Sequence, residues 1–168
     1  GVVAAAAALT ACSSTNEAVN QALIEGAVGG IVAADCKIGR MTYWAANATV
    51  PVYEISFRIV MTNVSSKPVT LSGDNFATTL DGIPIPPFNF SARDVGDADI
   101  WRTYDSLTIR PGEERSVALA YEISQPTYDS GYKSSRTVAV SFTCGNQRVT
   151  YTKNSRSDEI TVSDIETL

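Results

Sequence analysis

Histidine is absent from all 168 residues. Its absence removes Ser-His-Asp and Cys-His nucleophile activation, most catalytic zinc sites and imidazole-based pH switching. Any chemistry the chain performs falls to carboxylate, Lys, Tyr or Ser groups. Basic residues are also few: 13 Lys and Arg against 18 Asp and Glu give a net charge of −5 and a pI of about 4.7. They form no run and no basic helix face, so no nucleic-acid partner is expected, since phosphate neutralisation needs clustered cations. Long apolar runs are missing too. The longest, residues 2–11, falls far short of the roughly 20 residues a bilayer span requires. Cysteine is limited to Cys12, Cys36 and Cys144. What is present is a 44% hydrophobic content, enough to build the core of one ordinary domain.

The apolar run has the length of the core of a secretion signal, and the charged start of such a signal is not included. Directly after it stand Leu9-Thr10-Ala11-Cys12 and then Ser13-Ser14-Thr15-Asn16. A branched residue, two small residues, a cysteine and a polar stretch resemble the lipobox of bacterial lipoproteins. The resemblance implies lipidation at Cys12, a membrane partner through that lipid, and an extracytoplasmic place in a bacterial cell envelope. Two or more acyl chains anchor stably where one does so only marginally. With Cys12 consumed by lipid, Cys36 and Cys144 remain as a pair, and an oxidising compartment permits a disulfide between them. Closing so long a loop is worth about 4.7 kcal/mol in chain-entropy terms. The alternative is two unpaired buried thiols, each behaving as a small hydrophobe.

Ser14 and Glu17 have capping-box spacing, and Ala18, Val19, Ala22, Leu23 and Ala27 suit a short tether helix ended by Gly26, Gly29 and Gly30. The expected division is therefore a signal remnant over 1–11, a lipid-anchored tether over 12–34 and one domain over 35–168. From about residue 31 the period becomes two. Tyr53, Ile55, Phe57, Ile59 and Met61 alternate with mostly polar residues, as do Val117, Leu119, Tyr121 and Ile123. Asp81-Gly82 and Gly145-Asn146 are hairpin turn pairs, and Arg110-Pro111-Gly112-Glu113 is a further turn. Ile160 and Val162 suit a last edge strand. Residues 86–103 read as a long connection, because the prolines that open it disfavour a central strand. Residues 126–135 read as a polar loop. The expected fold is all-β: an immunoglobulin-like antiparallel sandwich of about seven to eight strands with a short N-terminal helix or tether.

The order of these signals carries a resemblance of its own. A strand ending at Asn63 precedes the Phe76 strand with its Asp81-Gly82 turn. The Pro111-Gly112-Glu113 turn then leads into the amphipathic strand 117–123. Over residues 50–123 this is similar to the lipoprotein-associated immunoglobulin-like domains grouped with the secreted mycobacterial immunoprotective antigen. The resemblance implies the fold and an extracytoplasmic location, and no particular activity.

Among candidate sites, Phe88, Phe90, Trp101 and Tyr104 interleave with Arg93 and Arg102 on the long connection, the residue types of a protein- or glycan-binding surface. The competing reading closes one end of the sandwich with these rings. Tyr128 and Tyr132, around Asp129-Ser130-Gly131, form a second loop candidate. Trp44 reads as core packing. Asp94, Asp97 and Asp99 could offer oxygens to calcium but lack EF-hand spacing, so neither a metal nor a cofactor is expected. Glu113 and Glu114 show no sign of the opposed geometry of a glycosidase pair. Asn47, Asn63 and Asn89 open glycosylation-type triplets, which beside a bacterial lipobox read as coincidence. The leading expectation is a non-enzymatic binding or assembly module presenting residues 86–104 to an envelope protein, a glycan or a secreted ligand. The rivals are a subunit of a surface filament or secretion complex and a carboxylate-based hydrolase.

Overall fold

The computed structural model describes residues 26–46, 50–94, 100–130 and 135–168, with the backbone alone at 44–46, 50, 51, 87 and 88. The chain opens with β1 (Ile31–Ile38), β2 (Thr42–Ala46) and the long β3 (Val50–Asn63). The period-two pattern works as read. Ile55, Phe57, Ile59 and Met61 point into the core, each no more than 1% exposed. After a break come β4 (Val69–Leu71), β5 (Phe76–Leu80), β6 (Ile83–Ile85), β7 (Pro87–Asp94) and β8 (Arg102–Thr103). Then follow β9 (Leu107–Ile109), β10 (Glu114–Glu122), β11 (Thr137–Cys144), β12 (Gln147–Asn154), β13 (Ile160–Val162) and β14 (Glu166–Thr167).

One sheet runs β1-β3-β10-β7-β8, with β2 also paired to β3. The other runs β13-β12-β11-β5-β6, with β14 also on β12, and β4 and β9 form a small pair of their own. Every pairing between these strands is antiparallel. Lettering β1, β3, β5, β7, β10, β11 and β12 as A to G gives sheets A-B-E-D and G-F-C. That is the connectivity of an immunoglobulin-like sandwich. The seven lettered strands correspond to the expected seven to eight, and the other strands are additions at edges and ends.

The two sheets lock through rings. Phe57 and Phe76 lie 5.9 Å apart between centroids, Phe76 and Phe142 5.1 Å, Phe57 and Tyr151 5.9 Å, and Phe76 and Phe90 6.2 Å. Turn chemistry sets the registers. Asp81 and Gly82 both take positive φ, 52° and 82°, the two-residue turn whose twist suits a hairpin. In the Pro111-Gly112 turn, Gly112 takes φ 78° at the place where a side chain would be strained, and Glu113 N–H donates to the Arg110 carbonyl at 2.9 Å.

Four expectations change. Ile31 already begins β1, so the sandwich starts before residue 35, while the tether helix and Cys12 lie outside the described residues. Half of the supposed 86–103 connection is strand β7, paired with β10 from Arg115↔Asp94 to Tyr121↔Pro87. The prolines sit at its very start, where a missing N–H is tolerated. The polar stretch after Ser124 holds a one-turn helix, Gln125–Ser130, with Ser124 Oγ accepting from Thr127 N–H at 3.2 Å.

The fourth correction concerns sulfur. Cys36 and Cys144 are free thiols, and the expected disulfide is not formed. Cys144 ends β11 with its sulfur 3.7 Å from the carbonyl of Gly29, just before β1. Cys36 lies within the bulge between Ala34 and Lys37 of β1, about 16 Å of strand after Ile31 at ~3.3 Å per residue. A disulfide needs Cα atoms within roughly 7 Å. Among the described residues, no helix is long and apolar enough to cross a membrane.

Candidate functional site

On the outer face of the A-B-E-D sheet, β10 alternates so that Val117, Leu119 and Tyr121 go inward and Ser116, Ala118 and Ala120 go outward. The outward residues are small, which leaves a shallow floor along a strand hydrogen-bonded on both sides. Register sets what flanks it. Ser116 lies opposite Arg93 of β7 and Val60 of β3, and Ala118 opposite Ser91 and Arg58. Lys37 of β1 pairs with Arg58 one strand further out. Trp101 directly precedes β8, in which Arg102 pairs with Ala92, so its indole falls beside Arg93 on the outer face.

The result is one indole held between two cations. The guanidinium carbon of Arg58 is 5.3 Å from the ring centroid and that of Arg93 is 5.1 Å. Such contacts contribute about 0.5–1 kcal/mol each where partly exposed. Ser116 points outward yet is only 8% exposed, as expected beneath this cluster. Asp35, Lys37, Arg58, Ile59, Val60, Arg93, Trp101 and Ser116 line a cleft of about 410 Å³. Among the described residues, three cations and one carboxylate line this cleft, in a protein of net charge −5. Among the described residues, Arg58 pairs with no carboxylate.

The six residues expected to bind divide by strand parity. Arg93 and Trp101 meet on the outer face. Phe90 turns inward and is core, 5% exposed. Tyr104 packs at the core edge, where Arg115 lies 5.8 Å over its ring and donates to its hydroxyl at 3.3 Å. Arg102 is exposed on the edge strand, in register with inward-facing Ala92. The side chain of Phe88 lies outside the described residues. Two essential members, Arg58 and Lys37, were missed. The signal for Arg58 was its polar slot between Phe57 and Ile59, which marks it as outward but not what it faces.

Of the three calcium candidates only Asp94 lies among the described residues. Asp94 pairs with Arg115 at 2.9 Å, and Asp97 and Asp99 lie outside the described residues. Among the described residues, no group of three His, Cys, Asp or Glu side chains could hold a metal. Glu113 Oε1 accepts from Arg110 N–H at 2.9 Å within its turn, so that carboxylate is spent on backbone. Tyr128 joins Tyr43 and Tyr53, with centroids 5.0 to 6.2 Å apart, while Tyr132 lies outside the described residues. The side chain of Trp44 does as well.

A larger cleft, about 640 Å³, opens between β1 and β13, lined largely by apolar residues including Val28, Ile31, Val149, Tyr151 and Ile160. Burial pushes the Cys36 thiol in its wall up to about 12. Burial, then the neighbouring Cys36, pushes the Tyr151 hydroxyl to about 12 as well. Both groups stay protonated at neutral pH, so neither is an activated nucleophile.

No family model and no curated protein matches the chain. Two solved structures are similar in shape. One is an uncharacterized β-sandwich protein from Clostridium difficile 630, 16% identical, with a TM-score of 0.44 over 74% of this chain and 83% of that one. The other is a protein from Archaeoglobus fulgidus, 11% identical, with a TM-score of 0.37 over 81% of this chain and 97% of that one.

Proposed function

We propose that the chain is an extracytoplasmic binding module, held at a membrane by lipid on Cys12, that engages an envelope ligand through the outer face of its A-B-E-D sheet. One observation carries the binding half of this reading: Trp101, just before edge strand β8, lies on the outer face of the sheet against Arg58 and Arg93 instead of being folded into the core. Aromatic and Arg side chains are the residue types that dominate binding energy at interfaces, and a sheet holds them with little entropy left to lose. The anchoring half is supported by Leu9-Thr10-Ala11-Cys12 after its apolar run.

Two measurements test the halves separately. The mature protein, used as bait in an envelope extract, should retain a component that Trp101→Ala loses; identical retention by both proteins overturns the binding reading. Intact mass of protein purified from its native membrane should show diacylglycerol on Cys12, and an unmodified chain overturns the anchor.

A further inference from the structure

We infer that the edge of β12 is an acceptor for an extended strand of a partner protein, which displaces β13 and sets an acidic side chain against Lys153. β12 belongs to the G-F-C sheet, so this site is separate from the Trp101 face. The chain's own residues 160–167 show what the edge takes, because they already lie along it as strands. Their hold is poor. β13 pairs with β12 over Tyr151, Thr152 and Lys153, and β14 over Gln147 and Arg148. Between them the ladder is broken at Thr150. Its carbonyl accepts from Ser163 N–H at 2.9 Å, but its own N–H donates to Ser163 Oγ, a side chain in place of backbone. No residue from Asn154 to Leu168 is buried, and Val162 is 55% exposed. Segments with so few buried contacts open at far lower cost than the whole fold. A continuous strand along all eight residues of β12 adds the rungs that the interrupted one lacks, and strand addition draws its affinity from such backbone bonds.

Lys153 supplies the chemical preference. It shares the inward face of β12 with Val149 and Tyr151, it is 2% exposed, and its Nζ has no hydrogen-bond partner. Ile160 stands directly opposite it in register. Side chains so paired lie on one face and touch, so the occupant of the Ile160 position sits beside the amine. Isoleucine offers an ammonium nothing. The nearby carboxylate of Asp158 is exposed and paired with Arg40 at 3.4 Å. A glutamate in the Ile160 position gives this buried cation the charge-assisted bond it lacks. Other edges suit an added strand less well. β6 carries Pro84, β1 is interrupted by its bulge between Ala34 and Lys37, and β8 spans two residues.

The probe is a fluorescent peptide of residues 157–168 carrying Ile160→Glu, with the unaltered peptide as control, titrated into the full chain and read by anisotropy. The glutamate peptide should bind about tenfold more tightly or better, and Lys153→Met in the protein should abolish that difference. Ile160→Glu made in the protein itself fills the place internally, so it should weaken peptide binding by about tenfold or more. Ile160 is only half-buried, which keeps the test valid should Lys153→Met fail to fold. Amide exchange separates displacement from attachment elsewhere on the surface. With peptide bound, Thr161 N–H should exchange faster, while Thr152 N–H opposite it stays protected by the incoming strand. No binding of the glutamate peptide, equal affinity for the two peptides, or an unchanged Thr161 amide overturns the inference. Each of these results leaves the Trp101 face to its own test.

Discussion

Lys153 is the residue least at home in this fold. It follows Val149 and Tyr151 on the inward parity of β12, it is 2% exposed, and its Nζ has no hydrogen-bond partner. Burial lowers the amine below its ordinary value of 10.5, Asp158 acts to raise it, and Arg40 acts to lower it. Arg40 and Asp158 pair with each other at 3.4 Å on the surface, so neither neutralises the lysine fully. Lys153→Met should therefore raise stability by about 1–2 kcal/mol in urea denaturation at pH 7, because an apolar chain of similar length avoids the desolvation cost. The pH dependence has a definite sign. Between the lowered folded value and 10.5 the unfolded chain binds the extra proton, so wild-type stability from this group should rise with pH across that window. Below the window the penalty is present in full. Lys153→Met should flatten that rise, and a parallel pH profile for both proteins would contradict the assignment. The alternation that buries Lys153 was legible in the sequence. Its burial ran against residue type, which is why a reading by hydrophobicity leaves it on the surface.

At the level of elements, the turns were the most legible part, because positive φ and fixed loop lengths are local properties. Asn63 shows how far such a signal reaches. It is fully buried, and its amide donates to the Lys67 carbonyl at 2.8 Å and to the Ile109 carbonyl at 2.8 Å. Its side-chain oxygen accepts from Ser65 N–H at 2.9 Å and from Ser65 Oγ at 2.7 Å. One side chain thus clamps the end of β3, the following turn and the end of β9, and it offers nothing to a glycan. Asn63→Ala should cost about 1–3 kcal/mol, since it orphans the buried Ile109 carbonyl and frees the partly buried Ser65 N–H, and a denaturation midpoint would register it. Strand β7 was less legible. Its alternating Asn89, Ser91 and Arg93 are visible, but the prolines before them argue against a strand unless its starting position is known. Losing β7 to a loop is what misplaced Phe90 among the binding residues.

For the whole molecule, the fold class was readable from repeated short strands, whereas the site depends on pairings that no local window contains. Arg58 and Trp101 are distant in sequence and meet because β3, β10 and β7 align. The pairing of Cys36 with Cys144 failed for a related reason: counting cysteines says nothing about where strands carry them. Cys36 rides on strand A, whereas the pairing found in antibody domains joins strands B and F. In this chain, Phe57 of β3 and Phe142 of β11 both pack on Phe76 of β5, the neighbour of β11 in its sheet. The melting temperature should accordingly be the same with and without reductant. Protein from the membrane, denatured without reductant, should titrate two thiols if Cys12 carries lipid and three if it does not. A drop in melting temperature on reduction would restore the disulfide.

Gly29 and Leu168 meet one hairpin. Gly29 N–H donates to Gln147 Oε1 at 2.9 Å, and Leu168 N–H donates to the Asn146 carbonyl at 2.7 Å. The described chain therefore enters at the same pole as Leu168, and β1 runs from that pole alongside β3, past the level of Arg58. Mechanical load between a tether at that pole and a ligand gripped by Arg58 would pass along the β1–β3 ladder. Its rungs would share the tension together instead of opening one after another.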